Sequence, residues 1–425
     1  MTDLREHSGT ARTVCRVCGA PEGVRPFLSL GSLPMGNAFI APAEIPDEQQ
    51  FPLDIGFCER CCLVQIVEPA PVSAIEKVYR NYSYVPTGAT LERHYRALAA
   101  DIVSTVTPRP DALFVDIGSN DGLLLRSLRA HAPGCGLVGV EPSPRISEIA
   151  RGHGVPTINR FFDDAAADEV LSLHGPADVI SATQVLQHIR DPVRLLRSVE
   201  RMLRPNGVLV LEGRAYFPDV AEKVAFDTFY HELLFCFTLH SLQNLLAQAG
   251  FVVFRAERSD AYGGSLRVFA QKREGTREPL ASVAKTLSDE VRAGLDRFDA
   301  YARFGAQVEG LRTSLRKTVN AVRSSGQTIS AYGAPSTGTT LLSYCGFGLD
   351  QIEYIVDDNP LKQGLVTPGS HIPITDLSAL EQRPTDCVLI LAWRLKDEIL
   401  ARLAPLRGSR IKGVIIPLPT PELVR

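Results

Sequence analysis

Two α/β domains with parallel sheets, following a small metal-binding domain, are predicted by three features of this 425-residue chain. Apolar strands alternate with helical patterns from residue 113 to residue 212 and again after residue 328, as in parallel sheets covered by helices on both faces. Each series begins with a strand that runs into a glycine-containing turn. Two Cys-x-x-Cys pairs precede both series. The chain is long enough for two or three domains with cores of their own.

The composition argues against several classes of protein. The formal net charge is only −3 and no block of like charges stands out, which argues against a nucleic-acid-binding surface. No apolar run is long enough to span a membrane, and the N-terminus lacks an apolar signal core. We therefore predict a cytoplasmic protein without nucleic-acid or membrane partners. Nine cysteines in such a chain indicate thiols or metal ligands rather than disulfides.

The two cysteine pairs, Cys15/Cys18 and Cys58/Cys61, predict a structural zinc site. Four thiolates can surround one Zn²⁺ tetrahedrally, which leaves no open position for catalysis. The segment between the pairs is longer than in compact zinc ribbons, so we expect it to form its own hairpin. Two separate pairs of buried free cysteines are the alternative. Cys62 follows directly, and the sequence leaves its role open.

The first glycine loop indicates a nucleotide-type cofactor. The strand Leu113–Ile117 carries Asp116, turns at Gly118, and after Gly122 continues as a helix whose first amides face the loop. The spacing departs from the Gly-x-Gly-x-x-Gly of dinucleotide sites, and no Lys-Ser/Thr follows for a P-loop. S-adenosylmethionine (SAM) remains, with Glu141 on its ribose hydroxyls. We predict a cofactor site formed by Asp116, Gly118, Ser119, Asn120, Gly122, Glu141 and Gln184.

The strands of this middle domain are predicted at Leu113–Ile117, Gly136–Val140, Ala177–Ser181 and Gly207–Glu212. Ligands of parallel sheets bind at the carboxyl ends of the strands. His188 follows the strand 177–181 and is therefore expected near the cofactor, although a structural histidine fits the sequence equally well.

Two polar clusters flank the predicted sheet. Tyr82 and Tyr84 precede the helical pattern 91–102 and form either a packed loop or a lid over the substrate. Tyr230, His231 and Glu232 are consecutive titratable residues among aromatic neighbours, where burial shifts pKa values. An extended segment would turn Tyr230 and Glu232 inward. A polar surface turn is the alternative.

A third part of the chain follows a charged, helical stretch that we interpret as a connector. Strands are predicted at Thr328–Tyr332, Gln351–Val356 and Cys387–Trp393. The glycine loop at residues 333–340 has Thr339 where a P-loop requires lysine, so ATP hydrolysis is not predicted. The predicted domains are 1–75 for zinc, 76–275 for SAM, 276–325 for the helical connector, and 326–425 for an α/β substrate-binding domain.

Together these motifs resemble those of deoxysugar C-methyltransferases that act on nucleotide-linked sugars in antibiotic biosynthesis. The resemblance covers nearly the whole chain, including residues 32–39, 263–267, 332–334 and 356–364. It implies a class I SAM-dependent methyltransferase domain of Rossmann-like fold between a zinc-binding domain and a second Rossmann-like domain. It also implies a sugar-nucleotide substrate, with removal of a proton next to a keto group, at C-3 of a 4-keto sugar, to give an enolate that attacks the SAM methyl group.

The resemblance also assigns roles to residues. The catalytic group it implies consists of Tyr230, Glu232, His188, His231 and Tyr84. The substrate-binding group consists of Tyr82, Asn37, Ser265, Arg267, Tyr332, Gly333, Asp357 and Lys362. We expect a small-molecule substrate and a monomer.

Two positions depart from the family pattern. Leu233 stands where the Tyr-His-Glu-His motif has its second histidine, and Thr337 stands where the C-terminal loop usually has a lysine. Leucine cannot transfer a proton, so Tyr230 or His188 is left as the base. Two alternatives follow from this change: methylation of another carbon acid, or of an oxygen or nitrogen, and a non-catalytic protein that binds SAM or a nucleotide.

Overall fold

The computed structural model describes residues 13–80, 89–383, 385–408 and 410–425. Three sheets lie in this part of the chain, one in each of the three predicted α/β or metal-binding regions. The predicted α/β fold class is confirmed. The predicted tyrosines Tyr82 and Tyr84 lie outside the described residues. Among the described helices, none combines the length and the apolar content that crossing a bilayer requires.

The N-terminal sheet has four strands in the order β1-β2-β3-β9. Strands β1 (Val24–Pro34) and β2 (Gln50–Cys58) form the expected antiparallel hairpin between the cysteine pairs, and β3 (Val64–Ile66) follows. The fourth strand, β9 (Phe235–Cys236), comes from the middle of the chain and pairs with β3. This pairing places the Tyr-His-Glu segment beside the N-terminal domain.

The middle sheet has seven strands in the order β10-β11-β8-β7-β4-β5-β6. Their bounds are β4 Leu113–Ile117, β5 Gly136–Val140, β6 Thr157–Ile158, β7 Ala177–Thr183, β8 Leu203–Gly213, β10 Phe251–Ser259 and β11 Ser265–Lys272. Strands β4, β5, β7 and β8 are parallel, as predicted; β6 is a further parallel strand, and β10 and β11 add an antiparallel edge. Strand β5 lies on one side of β4 and β7 on the other, so the strand order reverses at β4. A ligand cleft is expected at the carboxyl end of β4, where this reversal occurs.

Eight helices accompany these two sheets in the described chain. Their bounds are α1 Val72–Arg80, α2 Ala89–Val106, α3 Leu123–His131, α4 Pro144–Gly152, α5 Asp164–His174, α6 Pro192–Met202, α7 Phe217–Glu222 and α8 Leu239–Gln248.

The predicted connector consists of α9 (Ala281–Arg292) and α10 (Phe298–Ser324). Helix α10 packs directly on the N-terminal sheet, where the buried ring of Tyr301 stacks on Phe57 with 4.1 Å between ring centroids. Gly305 permits this approach, because a Cβ there would lie 2.4 Å from a backbone oxygen of β1. The connector is therefore part of the core that joins the domains.

The C-terminal sheet has six strands in the order β14-β13-β12-β15-β16-β17, of which only β17 is antiparallel. Their bounds are β12 Ile329–Tyr332, β13 Ile355–Val356, β14 Ile374–Thr375, β15 Cys387–Ile390, β16 Gly413–Ile416 and β17 Glu422–Val424. The helices are α11 Ser336–Cys345, α12 Ala379–Gln382 and α13 Lys396–Leu403.

Two predicted strands of this domain are shorter than expected. The prediction of a strand over residues 351–356 holds only for β13, because the amides of Gln351 and Ile352 bond to the carbonyl oxygen of Gly348 in a turn. Strand β15 ends at Ile390, and Trp393 begins a 3-10 turn. That turn carries side chains back toward the middle domain.

Candidate active site

The cofactor loop follows β4 and has the backbone that only glycine tolerates well. Gly118 has a φ of +69°, and a Cβ there would lie 2.5 Å from Cγ2 of Val185. Gly122 has a φ of +79° and ends the loop immediately before α3, as the sequence predicts. The loop therefore keeps the backbone close to the sheet edge and leaves space above it.

Two carboxylates lie at the carboxyl ends of neighbouring parallel strands. Asp116 is buried and accepts a 2.6 Å hydrogen bond from Ser181 Oγ, and burial raises its pKa to about 7. Glu141 accepts hydrogen bonds from the backbone amides of Asn120 at 3.1 Å and Ser143 at 2.9 Å. Burial also raises the pKa of Glu141. The Glu141 carboxylate is thus held beside the loop.

Two polar atoms near this loop lack hydrogen-bond partners among the described residues. They are Ser119 Oγ and Gln184 Nε2, both buried. Gln184 has a φ of +60° at the end of β7. Unsatisfied buried groups of this kind are costly unless a ligand completes them. The residues present therefore fit a polar cofactor such as SAM.

A large cavity opens from the cofactor loop and is walled by all three domains. The cavity has a volume of about 1920 Å³. On the cofactor side it is lined by Asp116, Gly118, Ser119, Asn120, Glu141 and Gln184. On the opposite sides it is lined by Asn37, His188, Arg214, Tyr230, Gly333, Thr337, Asp357, Lys362 and Arg394. An acceptor in this space would contact the N-terminal and C-terminal domains while facing the cofactor.

His188 is a basic group on the cavity wall. Its Nδ1 lies 2.6 Å from the backbone carbonyl oxygen of Glu232. Because a carbonyl oxygen can only accept, Nδ1 carries the proton and Nε2 of the neutral ring carries the lone pair. Burial, with a smaller contribution from the positive charge of Arg214, lowers the pKa of His188 to about 4, against the opposing effect of the hydrogen bond to Glu232. His188 is therefore a neutral imidazole at physiological pH.

Tyr230 and Arg214 lie beside this imidazole. The ring centroids of His188 and Tyr230 are 6.3 Å apart. A terminal nitrogen of Arg214 donates to the Tyr230 hydroxyl oxygen, and the guanidinium carbon lies 5.4 Å from the phenol ring centroid. The Arg214 amide donates to Gln184 Oε1 at 3.0 Å, which joins this cluster to the cofactor side.

The Tyr-His-Glu segment forms a turn, so the extended backbone that would direct both Tyr230 and Glu232 inward is not present. The amide of Leu233 donates to the carbonyl oxygen of Tyr230 at 2.8 Å. The Glu232 carboxylate points to the N-terminal domain and accepts from the amides of Gly36 at 3.2 Å and Asn37 at 2.9 Å, and from the Asn37 side chain at 3.1 Å.

His231 also points to the N-terminal domain. Its Nε2 donates to the carbonyl oxygen of Phe51 at 3.0 Å, and the ring is fully buried. Of the three consecutive residues, Tyr230 is the one that the described structure places on the cavity wall.

The four predicted metal ligands converge in the N-terminal domain. The sulfur atoms of Cys15, Cys18, Cys58 and Cys61 all lie within 4.8 Å of one another. Four cysteine sulfurs at this separation fit one structural Zn²⁺. Cys62 is buried next to them but does not belong to the cluster.

Comparisons with known proteins agree with this arrangement. Family models match a zinc binding domain at residues 15–75, a methyltransferase domain at residues 91–256 and a C-methyltransferase C-terminal domain at residues 260–419. The C-methyltransferase NovU of Streptomyces niveus is 32% identical over 417 residues, which are 96% of this chain and 96% of NovU. The chain belongs to this C-methyltransferase family.

More distant relatives match only parts of the C-methyltransferase. A ubiquinone biosynthesis O-methyltransferase of Xanthomonas oryzae pv. oryzae is 27% identical over 117 residues, which are 26% of this chain and 46% of that relative. A solved SAM-dependent methyltransferase of Clostridium acetobutylicum is 11% identical and covers 44% of this chain and 92% of its own, with a TM-score of 0.33. The full-length match and the methyltransferase domain establish a SAM-dependent methyltransferase, and the N-terminal domain is of the zinc-binding type.

The C-terminal domain brings three of its four predicted substrate residues to the cavity. They are Gly333, Asp357 and Lys362, and they join Asn37 from the N-terminal domain. Lys362 donates to the carbonyl oxygen of Ala334 at 2.7 Å and lies over an aromatic ring, and burial lowers its pKa.

The other predicted substrate residues make structural contacts. Tyr332 bonds to Asp358 and Arg402 beneath the C-terminal loop. Ser265 is fully buried and donates to a backbone oxygen. Arg267 donates to Glu212 at 2.7 Å and to Asp101 at 2.8 Å. The structure does not bring these three to the cavity wall defined by the described residues.

Three cavity residues of the C-methyltransferase were missed in the sequence. His94 lies 2.6 Å from the buried carboxylate of Glu212, and Arg394 makes two bonds to Asp227. Arg214 is the third. Its position directly after the strand β8 is a signal that the sequence did contain, because such positions face the ligand in a parallel sheet.

Proposed function

We propose that this C-methyltransferase methylates the carbon next to a keto group of a nucleotide-linked deoxysugar, at C-3 of a 4-keto sugar. C-methylation requires an acceptor carbon that can lose a proton, which a neighbouring ketone makes possible. The observation that carries the proposal is the orientation of His188, whose Nδ1–H is held by the Glu232 carbonyl oxygen. A neutral imidazole with its lone pair on Nε2 is the base that such a reaction needs.

The residues around the acceptor would have different roles in the reaction. His188 would remove the proton from the carbon through Nε2, and Asn37 on the cavity wall would help to hold the sugar in place. SAM, held by the loop at Asp116 and Gly118 and by Glu141, supplies an electrophilic methyl group. After the reaction, the protonated imidazole would release its proton to solvent, since its low pKa makes the charged form unfavourable.

The nucleotide is proposed to lie against the C-terminal domain. Gly333, with a φ of +87°, and Thr337 follow β12, and Asp357 and Lys362 follow β13. These loops meet at the carboxyl ends of parallel strands, where doubly wound sheets bind their ligands.

The test is isotope exchange in the acceptor. The protein is incubated in heavy water with a thymidine-diphosphate-linked 4-keto-6-deoxysugar, first without SAM and then with it, and the sugar mass is followed. We expect deuterium uptake next to the ketone without SAM, followed by the gain of one methyl group with SAM. Absence of both, in a protein that binds S-adenosylhomocysteine, would reject this acceptor class.

Methylation of an oxygen or nitrogen is the second candidate. It is favoured by one observation, the apolar Leu233 at the position where the resembling enzymes carry a second histidine. An oxygen or nitrogen nucleophile needs less help with deprotonation than a carbon does. Methyl gain without prior deuterium uptake at carbon would favour this candidate.

A further inference from the structure

A proton can leave the acceptor carbon only if the negative charge that forms on the keto oxygen is stabilised. Hydrogen-bond donors that are already oriented toward that oxygen are the usual solution. Near His188, the cavity offers two such groups, the guanidinium of Arg214 and the hydroxyl of Tyr230. We propose that Arg214 is a catalytic residue that, together with the Tyr230 hydroxyl, binds the enolate oxygen of the acceptor. This inference rests on the proposed function.

The position of Arg214 supports this role. It follows the last residue of β8, and its amide is bonded to Gln184 Oε1 at 3.0 Å. Gln184 stands at the end of the neighbouring strand β7, on the cofactor side of the cavity. The Arg214 side chain therefore starts from a backbone fixed by two adjacent strands, and it lines the same cavity as Gln184.

The bond between Arg214 and Tyr230 determines where the phenol proton points. A guanidinium has only donors, so in this bond the Tyr230 oxygen accepts. The hydroxyl proton of Tyr230 must then be directed to another acceptor. A guanidinium carries five N–H groups in a rigid fork, so it can hold the phenol and a second oxygen together. The pair can thus present two donors to one substrate oxygen.

Two other arginines of the cavity wall are engaged elsewhere. Arg394 makes two bonds to the buried Asp227 carboxylate and another to Thr228, so its charge is neutralised. Arg190 donates to the carbonyl oxygen of Ala70. Among the described residues, Arg214 is the cation that contacts the phenol next to His188.

The proposed step conserves atoms and charge. The C–H bond next to the ketone breaks, and the proton moves to Nε2 of His188. The electron pair of that bond becomes the double bond of the enolate, while the π pair of the ketone moves to oxygen. Arg214 and Tyr230 donate to that oxygen, and no oxidant or reductant is needed. The imidazolium that forms stands beside the enolate that it balances.

The experiment measures deuterium uptake by the thymidine-diphosphate-linked 4-keto-6-deoxysugar in heavy water without SAM, so that the methyl transfer is not part of the readout. Three variants of the full chain are compared with the wild type: Arg214→Met, Arg214→Lys and Arg190→Met. Binding of S-adenosylhomocysteine is measured by calorimetry for each. Arg190→Met is the matched control, because it removes the same charge from the same cavity without touching Tyr230.

We expect Arg214→Met to lower the exchange rate by about 100-fold or more, the usual effect of losing one oxyanion donor. Arg214→Lys should fall between it and the wild type, because lysine keeps the charge and loses the fork. Arg190→Met should exchange like the wild type, and S-adenosylhomocysteine affinity should stay constant throughout. If Arg214→Met does not fold, reduced exchange in Arg214→Lys supports the assignment, and wild-type exchange in that variant overturns it.

The remaining outcomes separate the two proposals. Equal exchange in the wild type and Arg214→Met would overturn the role of Arg214 and leave the proposed function standing. If Arg190→Met lost as much exchange as Arg214→Met, the role of Arg214 would also be overturned, since the effect would then come from the total charge of the cavity. No exchange in the wild type would overturn both.

Discussion

The imidazole of His188 donates from Nδ1 to the backbone carbonyl oxygen of Glu232 across 2.6 Å. The Tyr-His-Glu turn thus orients the imidazole through its main chain, while the Glu232 side chain faces the other way. A backbone acceptor fixes the tautomer without adding a negative charge next to the ring. Under the proposed function, this arrangement would give the methyltransferase a base that does not depend on a second motif histidine.

His188→Gln should lower deuterium exchange in the acceptor by about 10²–10⁴-fold, the range that a general base contributes. Glutamine keeps a donor for the Glu232 carbonyl oxygen but cannot take the proton. Affinity for S-adenosylhomocysteine should be unchanged. His174→Gln, at the exposed end of α5, serves as the control and should exchange like the wild type. Unaltered exchange in His188→Gln would assign the base to another group.

The exchange rate should depend on pH through the neutral form of His188. Burial lowers the pKa of this imidazole to about 4, below its ordinary value, so the base is neutral and active above that pH. The rate should be level from about pH 6 to about pH 8 and fall as the pH approaches 4. A rate that climbs steadily through the alkaline range would indicate that a group other than the His188 imidazole is the base.

The lowered pKa of His188 also makes the free energy of unfolding depend on pH. Because the pKa of His188 is lower in the folded protein than in the unfolded chain, the unfolded chain binds more protons at mildly acidic pH. The contribution of His188 to the free energy of unfolding is therefore complete above the unfolded pKa and decreases as the pH falls toward 4. His188→Gln should show a smaller loss of stability than the wild type over this range, measured by urea unfolding.

Cys58→Ser should lose the zinc and unfold the N-terminal sheet. Structural zinc contributes about 10–16 kcal/mol of binding free energy in small domains, and serine is a poor substitute for a thiolate. Metal analysis should give one zinc per wild-type chain. Cys62→Ala is the matched control and should keep its zinc, because Cys62 is adjacent but outside the cluster. Zinc retained by Cys58→Ser, or lost by Cys62→Ala, would contradict the ligand assignment.

Glu232→Gln separates a positioning role from a catalytic one. Its carboxylate accepts three hydrogen bonds from Gly36 and Asn37, so an amide nitrogen in its place should cost about 1–3 kcal/mol of folding free energy. Asn37→Ala removes one of those bonds and should cost less. Both are measured by urea unfolding beside the exchange assay. Full stability with abolished exchange would instead support the catalytic role that the family resemblance implies for Glu232.

The features that the sequence predicted correctly are those that depend on the pattern within short segments. The parallel strands β4, β5, β7 and β8, the loop at Gly118 and the cysteine quartet were all expected, because strand periodicity, the glycine turn and thiol spacing are encoded within short segments. The predicted bounds of the strands Leu113–Ile117 and Gly136–Val140 agree with the structure.

What the sequence did not predict depends on contacts between distant segments. Glu232 reaches Asn37, 195 positions away, only because β9 joins the N-terminal sheet. His94 meets Glu212 across 118 positions. The contact of Arg214 with Tyr230 joins the end of β8 to the turn that begins at Tyr230. No periodicity within one segment carries such information.

Leu233→His would return the imidazole that the resembling enzymes carry, yet we expect no gain in exchange. Leu233 is 1% exposed and packs in the apolar core, and it is absent from the described residues that line the cavity. An imidazole there would bury ring nitrogens without partners, which costs about 1–3 kcal/mol in addition to the lost packing. Leu233→Met, which keeps the volume, should cost less than about 1.5 kcal/mol. Urea unfolding and the exchange assay test both variants. Faster exchange in Leu233→His than in the wild type would mean that this position reaches the acceptor and that the base belongs to the motif.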